Sequence, residues 1–189
     1  MIGAQGGAVM AGRIFTVVGP SGAGKDTLIE AARRARPDLH VVRRVITRPE
    51  AVGGEPFEGV SPEEFARRKS EGGFVLDWEA HGLCYGVPKT TEQALAEGRD
   101  VIFNGSRAML GAAWRAFPGL TVIHVTATVP VLAQRLAARG RESSGEIARR
   151  LTRERYEIPD GIGVRVVENN GSLVQAVTAF LAALLPESV

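Results

Sequence analysis

Cysteine, histidine, aromatic residues and long apolar runs are all scarce in this sequence, and each shortage excludes a class of protein. Cys84 is the only cysteine, so no disulfide can form within the chain, and a reducing compartment, the cytoplasm, is expected. The three histidines are too scattered to form a metal site. Aromatic residues make up 6% of the chain and no basic run is interleaved with them, which argues against nucleic-acid binding. No apolar run approaches the roughly 20 residues that cross a bilayer, so we expect no membrane insertion.

Lysine is scarce as well. Lys25, Lys69 and Lys89 are the only lysines among the 23 basic residues, and the others are all arginine. A guanidinium group matches two phosphate oxygens at once, so the bias favours phosphorylated ligands. A genome rich in arginine codons would produce the same bias, and the net charge of +2 does not separate the two explanations. The motifs therefore have to decide between phosphate binding and codon usage as the cause of the arginine bias.

The chain has the size and composition of one ordinary domain. It contains 189 residues, of which 44% are hydrophobic, which is enough to bury a core. Residues 1–12 are small and flexible in composition and lack the basic start and apolar middle of a secretory signal, which predicts a loose tail. Residues 13–189 are predicted to form a single domain. The sequence leaves the oligomeric state open, with a homodimer as one option.

Short β-branched runs alternate with segments of helical spacing along most of the chain. This alternation predicts an α/β fold, with a parallel sheet covered by helices on both faces. The predicted strands are residues 14–18, 41–46, 101–103, 121–125 and 164–167. The predicted helices begin at Lys25, Pro62, Thr91, Arg107, Pro130, Gly145 and Leu173.

Two segments interrupt the alternation of strands and helices. Residues 48–88 contain a turn-rich stretch, a short helix and two small strands near residues 74–78 and 83–87. We interpret this segment as an inserted lobe. Residues 139–155 form a basic, polar helical pattern with few apolar anchors, which predicts a lid rather than a core element.

The stretch GPSGAGKDT follows the first predicted strand and opens the first predicted helix, which is the context that a phosphate-binding loop requires. Glycines let the backbone turn so that successive N–H groups face the phosphates of a nucleotide, and the helix N-terminus adds its positive end. Lys25 is expected to bridge the outer phosphates of ATP and to act in catalysis. The predicted nucleotide-binding residues are Gly19, Pro20, Ser21, Gly22, Ala23, Gly24, Lys25, Asp26 and Thr27.

Asp26 departs from the usual loop, in which Ser or Thr follows the lysine and gives an oxygen to Mg²⁺. A carboxylate oxygen is a harder ligand. We therefore expect Asp26 to hold Mg²⁺ directly or through water, and Thr27 to contact an inner phosphate. The alternative is that Asp26 only interacts with the positive helix N-terminus, which would contribute at most about 1 kcal/mol.

Further stretches lie at regular positions beyond the loop. They are ITRP at residues 46–49, VSPEEF at 60–65, LDW at 76–78, YG at 85–86 and an arginine-rich segment at 139–150. Together they resemble the guanylate kinase plan over nearly the whole chain from residue 13 onward. The resemblance implies a P-loop nucleoside-monophosphate-kinase-like fold, in which the inserted lobe binds the acceptor and the lid closes over it.

Departures from that plan fall on residues with which guanylate kinases hold their acceptor. The second arginine of their Arg-x-x-Arg clamp falls at Ala51, their phosphate-binding tyrosine falls near Phe57, and the hydroxyl residue after Tyr-Gly falls at Val87. The acidic pair after the third strand is replaced by NGS at residues 104–106. Recognition of guanine is therefore poorly supported.

A sister family carries the same departures. The loop ending in Gly-Lys-Asp-Thr, Arg44, HGL at residues 81–83 and above all VIFNGSRA at residues 101–108 resemble the ribose 1,5-bisphosphate phosphokinase family. The resemblance implies transfer of the γ-phosphoryl group of ATP to α-D-ribose 1,5-bisphosphate, which gives ADP and 5-phospho-α-D-ribose 1-diphosphate. It also implies ATP and Mg²⁺ as cofactors and a link to phosphonate breakdown.

A phosphate acceptor is already ionised and needs no general base, but it needs cationic cover because two polyanions approach each other. Arg48 lies where the guanylate kinase plan places a phosphate-binding arginine, Arg44 lies on the preceding strand, and Arg107 follows the carboxyl end of another. Solvated surface charge is the alternative for each. Asn104 and Ser106 are expected to orient sugar hydroxyls or magnesium-bound water, with capping of the next helix as the alternative.

The guanylate kinase plan also suggests roles in the lid and the lobe. Arg139 and Arg150 have the spacing of two lid arginines that close over the transferring phosphoryl group, and they are expected to be catalytic. Asp77 and Tyr85 match acceptor-binding positions of the lobe. Asp77 is expected to accept hydrogen bonds from ribose hydroxyls, with a structural ion pair as the alternative.

Asn169 and Asn170 follow the last predicted strand. They are candidate contacts for the edge of adenine, and an ordinary Asn-Asn-Gly turn explains them equally well.

Two other functions stay open at this level. Guanylate kinase is the nearest enzymatic alternative, because the likeness to that fold is long. A non-catalytic guanylate-kinase-like binding module belongs to a different class of function. Such modules erode the phosphate loop, whereas Gly19, Gly24 and Lys25 are all present here.

Overall fold

The α/β fold predicted from the sequence is confirmed by the computed structural model, which describes residues 12–50, 56–138, 158 and 161–186. The lid segment and the helix predicted at Gly145 lie outside the described residues. No helix in the described part of the chain is long and apolar enough to cross a membrane.

The elements in chain order are β1 (Ile14–Val18), α1 (Lys25–Ala35), β2 (His40–Val41), β3 (Val45–Ile46), β4 (Glu58–Gly59), α2 (Pro62–Ser70), β5 (Phe74–Ala80), β6 (Leu83–Pro88), α3 (Thr90–Ala96), β7 (Val101–Asn104), a 3-10 turn (Arg107–Met109), α4 (Leu110–Ala116), β8 (Thr121–Thr126), α5 (Val129–Ala138), β9 (Gly163–Glu168) and α6 (Leu173–Ala182).

The main sheet is parallel and has five strands in the order β2-β7-β1-β8-β9. Its central strand β1 is buried along its whole length, and its side chains alternate between the two faces. Phe15 and Val17 pack in a core with α1 and α6, whereas Ile14 and Val18 pack in the opposite core with α3 and α4. Helices therefore cover both faces, and the loops that follow the strands meet at the carboxyl edge of the sheet, where such folds bind ligands.

A second, smaller sheet occupies residues 45–88, with the strand order β4-β3-β6-β5. β5 and β6 form a hairpin whose two-residue turn is His81-Gly82, with φ 54° and 72°. Positive φ at both positions is the geometry of a type I′ turn, which matches the twist of the strands. The hairpin fixes the register that pairs Trp78 with Tyr85. α2 begins at Pro62, where the Ser61 hydroxyl caps the helix by accepting from the Glu64 N–H at 3.2 Å.

Candidate active site

Residues 19–24 connect β1 to α1 in a tight loop that needs glycine. Gly19 has φ 149° and Gly24 has φ 94°. A Cβ at Gly19 would lie 2.1 Å from the carbonyl oxygen of Val125, so a larger residue does not fit there. The Lys25 ammonium group folds back over the loop and donates to the Gly19 carbonyl oxygen at 2.8 Å. This arrangement of loop, helix N-terminus and ammonium group fits the phosphates of a nucleotide.

Two distant residues hold this loop in place. Asn169, which follows β9, is buried, and its Nδ2 donates to the carbonyl oxygen of Ala23 at 2.8 Å. A Cβ at Gly24 would lie 2.5 Å from the same Nδ2, so the loop backbone and the amide are in close contact. Arg135 of α5 donates to the carbonyl oxygens of Asn169 at 3.0 Å and Gly22 at 3.4 Å. The sequence makes Asn169 a candidate contact for adenine. In the structure its side-chain amide donates to the phosphate loop instead.

Asp26 lies in the first turn of α1 and meets the end of a neighbouring strand. Asn104, the last residue of β7, donates from Nδ2 to Oδ1 of Asp26 at 2.8 Å. Among the described residues, no group of three or more His, Cys, Asp or Glu side chains could hold a metal ion. Mg²⁺ in kinases usually takes one or two carboxylates together with substrate phosphates and water. A single carboxylate beside a phosphate loop therefore fits Mg²⁺, and Asp26 is the residue that would hold it.

The Asn-Gly-Ser-Arg stretch continues from β7 along the carboxyl edge of the sheet. Gly105 packs so closely on β1 that a Cβ there would lie 2.3 Å from Oγ1 of Thr16. Arg107 lies close enough to the half-buried His124 of β8 to affect its charge. Burial lowers the pKa of His124 below its usual value, and the positive charges of Arg107 and Lys25 lower it further. The uncharged histidine thus adds no third positive charge beside Lys25 and Arg107 at neutral pH.

Arg44 is buried under the aromatic pair of the β5–β6 hairpin. The rings of Trp78 and Tyr85 stack with centroids 5.3 Å apart, and the Arg44 Cζ lies 5.7 Å and 5.2 Å from them. Burial lowers the pKa of Arg44 to about 10, with Tyr85 and Asp26 acting against the decrease and Arg48 adding to it. Arg44 is therefore still a cation at neutral pH, and it lies within electrostatic range of both the phosphate loop and Arg48.

Arg48 follows β3 and lies over a different ring. Its Cζ is 4.4 Å from the centroid of Phe57, the residue just before β4. The backbone around Arg48 is anchored, because the Thr47 N–H donates to the Cys84 carbonyl at 3.1 Å and the Thr47 hydroxyl accepts from the Cys84 N–H at 2.9 Å. Aromatic rings of the lobe thus hold both arginines, Arg44 beside Trp78 and Tyr85 and Arg48 beside Phe57.

Comparison with known proteins decides the family. No protein-family model matches the chain. A ribose 1,5-bisphosphate phosphokinase PhnN from Pseudomonas fluorescens (strain SBW25) is 45% identical over 182 residues, which cover 93% of this chain and 96% of that protein. A protein of the same name from Brucella melitensis biotype 2 is 47% identical and covers 90% of each chain. This chain belongs to the ribose 1,5-bisphosphate phosphokinase family. The resemblance identified from the sequence is confirmed.

Solved structures place this member of the ribose 1,5-bisphosphate phosphokinase family among kinase folds. A guanylate kinase from Anaplasma phagocytophilum aligns with a TM-score of 0.66 at 20% identity, over 93% of this chain and 85% of that chain. A gluconokinase from Sinorhizobium meliloti 1021 aligns with a TM-score of 0.53 at 23% identity, over 93% of this chain and 92% of that chain. Likeness at this identity shows the fold alone. Two bifunctional ribose 1,5-bisphosphokinase-thymidine phosphorylases from Cupriavidus are 45% identical, and this chain spans 29% of their length.

The residues proposed for the phosphokinase site are distributed unevenly over the structure. Four of them lie on the carboxyl edge of the main sheet: Lys25, Asp26, Asn104 and Arg107. Arg48 and Tyr85 lie in the lobe, and Arg44 lies just before β3. Ser106 precedes the 3-10 turn without a side-chain capping bond. Asp77 pairs with Lys69 on α2, so its expected contact with the sugar stays a prediction. Arg139 and Arg150 lie outside the described residues.

Proposed function

We propose that this chain transfers the γ-phosphoryl group of ATP to the phosphate on C1 of α-D-ribose 1,5-bisphosphate, giving ADP and 5-phospho-α-D-ribose 1-diphosphate. Relatives that are 45–47% identical over at least 90% of the chain carry the name ribose 1,5-bisphosphate phosphokinase PhnN. The structural observation that carries the proposal is the hydrogen bond of 2.8 Å from Asn104 to Asp26, which joins the Asn-Gly-Ser-Arg segment to the phosphate loop. Lys25 lies beside it in the same loop and donates to the Gly19 carbonyl oxygen at 2.8 Å.

The proposed reaction is an in-line displacement at phosphorus. An oxygen of the C1 phosphate forms a bond to the γ-phosphorus, the bond from that phosphorus to the β,γ-bridging oxygen breaks, and ADP leaves with the electron pair. The attacking oxygen is ionised at neutral pH, so no side chain has to remove a proton. The protein contributes mainly orientation and positive charge, which suits a site built from one lysine and several arginines.

Each group of residues has a separate task in this proposal. Lys25 and the backbone of residues 19–24 hold the outer phosphates of ATP. Asp26, oriented by Asn104, would hold Mg²⁺, which would supply charge neutralisation of the transferring phosphates. Arg44 and Arg48 orient the doubly phosphorylated sugar. Arg139 and Arg150 are proposed to close over the transferring group and to exclude water.

The decisive experiment is identification of the product by phosphorus NMR after the purified protein is mixed with MgATP and ribose 1,5-bisphosphate. The expected result is loss of the γ-phosphorus signal of ATP together with a new pair of diphosphate resonances besides those of ADP. A parallel incubation with GMP tests guanylate kinase activity, the nearest alternative. GDP formation with GMP and no reaction with the sugar would overturn the proposal.

A further inference from the structure

Arg48 is held differently from several other arginines in the described part of the chain. Its Cζ lies 4.4 Å from the centre of the Phe57 ring, and Phe57 is only 4% exposed. The Nε of Arg48 is buried and has no hydrogen-bond partner within the described residues. No carboxylate among those residues forms an ion pair with Arg48. Within the described residues, the contact that holds the guanidinium is therefore the buried Phe57 ring and not a carboxylate.

Several other arginines in the described part of the chain are held by carboxylates. Arg33 pairs with Glu30, Arg36 pairs with Asp38, and Arg67 pairs with Glu64. A carboxylate occupies the in-plane N–H donors of a guanidinium group and cancels its charge. A ring contacts the flat face of the group and leaves the in-plane donors and the charge available. A ring contact is therefore the better way to hold an arginine that has to bind a phosphate.

We propose that Phe57 is a positioning residue, which orients the Arg48 guanidinium so that its in-plane N–H donors face a phosphate of the acceptor. The inference rests on the proposed function. Both residues flank paired strands, since Arg48 follows β3 by two residues and Phe57 directly precedes β4, and β3 and β4 are paired in parallel. The Arg48 N–H also donates to the Ile46 carbonyl at 2.8 Å, which fixes the start of the side chain.

The test is a set of substitutions at residue 57, with KM for ribose 1,5-bisphosphate measured at saturating MgATP. Phe57→Leu keeps an apolar side chain but removes the ring, and KM is expected to rise roughly two- to thirty-fold, the range of a cation–π contact. The value of kcat and the KM for ATP are expected to stay within about twofold of wild type. Phe57→Tyr keeps the ring, and its KM is expected to return close to that of wild type.

A matched control separates positioning from loss of stability. Phe65 of α2 is also 4% exposed, and its ring stacks on Phe74 at 4.7 Å in the same lobe. Phe65→Leu is expected to lower the melting temperature about as much as Phe57→Leu and to leave KM for the sugar unchanged. An equal rise in KM for both variants would overturn the proposal, since it would show a general effect on the lobe.

A double-mutant cycle shows whether Phe57 acts through Arg48. On an Arg48→Ala background, Phe57→Leu is expected to change KM by less than about twofold, because the group that it positions is absent. The same fold-change in both backgrounds would show a direct contact between Phe57 and the sugar and would overturn the proposal. If the wild type turns over ribose 1,5-bisphosphate and Phe57→Leu has the same KM, the role of Phe57 is wrong but the proposed function stands. If the wild type does not turn over the sugar, the proposed function is wrong as well.

Discussion

The Asn104 side chain donates a hydrogen bond of 2.8 Å to the Asp26 carboxylate and so joins the end of β7 to the first turn of α1. These residues belong to the two most unusual stretches of the sequence, the Gly-Lys-Asp-Thr loop and the Asn-Gly-Ser-Arg segment. They meet because β7 pairs with β1 in parallel, so that both strands end at the same edge of the sheet. The bond occupies one carboxylate oxygen and orients the other. A fixed carboxylate at this place is what a metal ligand requires.

Substitution of Asp26 tests this role. In Asp26→Ser, which restores the usual residue of a phosphate loop, the Mg²⁺ concentration for half-maximal rate is expected to rise about tenfold or more, because an anionic oxygen is replaced by a neutral one. The measurement is a Mg²⁺ titration of turnover at fixed ATP. Glu30→Gln is the control, since Glu30 lies one turn further along α1 and pairs with Arg33 and Arg34. An unchanged Mg²⁺ requirement in Asp26→Ser would exclude the ligand role.

Replacement of Gly105 tests the packing that brings Asn104 to Asp26. An alanine Cβ would lie 2.3 Å from the hydroxyl oxygen of Thr16, a fully buried residue of β1. Gly105→Ala is therefore expected to lower the free energy of unfolding by about 1–3 kcal/mol, the usual cost of overpacking. Urea unfolding measures the change. Gly119→Ala is the matched control, because no atom lies within 4 Å of a Cβ there, and equal stability of the two variants would contradict the prediction.

Local motifs of the site could be predicted from the sequence, whereas its long-range supports could not. The phosphate loop was recognisable because all of its residues are adjacent and its strand and helix follow from periodicity. Asn169 and Arg135 reach the same loop across separations of 146 and 113 residues, and no local pattern encodes such a contact. Asn104 was recognised as a site residue, but its bond to Asp26 depends on the strand order of the sheet.

The aromatic support of the arginines was missed for a different reason. Compared with the guanylate kinase plan, the sequence shows only that Phe57 lacks a tyrosine hydroxyl. That absence does not indicate that the ring contacts Arg48. Trp78 reads as an ordinary packing residue because its partner Arg44 is distant in the sequence and lies just before β3. The signal that was available is the position of Phe57, beside a turn-rich stretch and nine residues after the predicted clamp arginine. The contact exists only in the folded chain, where the Arg48 Cζ lies 4.4 Å from the centre of the Phe57 ring.

Removal of the Asn169 side chain tests the support of the phosphate loop. Asn169→Ala leaves the carbonyl oxygen of Ala23 without its donor in a buried place, which is expected to cost about 1–3 kcal/mol of stability. The loop is also expected to hold ATP less tightly, with a several-fold higher Kd by calorimetry. The neighbouring Asn170 is exposed and accepts from the Thr128 N–H at 2.7 Å. Asn170→Ala is expected to leave the Kd for ATP unchanged, and equal effects of the two substitutions would argue against the assignment.

Protonation of His124 is expected to destabilise the protein in mild acid. Burial, Arg107 and Lys25 lower its pKa in the folded state, so the unfolded chain takes up the proton first as pH falls through the ordinary histidine value of about 6.5. The stabilisation is therefore complete above that value and is lost below it. The melting temperature of wild type is expected to fall more steeply between pH 7.5 and 5.5 than that of His124→Gln.

Between pH 7.5 and 5.5 the titration of His124 can be distinguished from that of two carboxylates with lowered pKa values, Glu30 and Glu64. Hydrogen bonds from arginines lower the pKa of Glu30 and of Glu64 to about 2, and both are ionised throughout the window in either state. His40 also has a lowered pKa, first because of burial and then because of Arg99. His40→Gln is therefore measured in parallel to assign its share. Identical pH profiles for wild type and His124→Gln would show that His124 does not contribute.

Asp77 provides a direct comparison between a structural and a substrate-binding role. Its carboxylate pairs with the Lys69 ammonium group on α2, whose side chain is 58% exposed. An exposed pair of this kind stabilises by less than about 1 kcal/mol, so Asp77→Asn and Lys69→Met are expected to have small and similar effects on unfolding. If the ion pair is the whole role of Asp77, neither substitution changes KM for ribose 1,5-bisphosphate by more than about twofold. A rise in KM in Asp77→Asn alone would instead establish the sugar contact, because only that variant removes an acceptor for ribose hydroxyls.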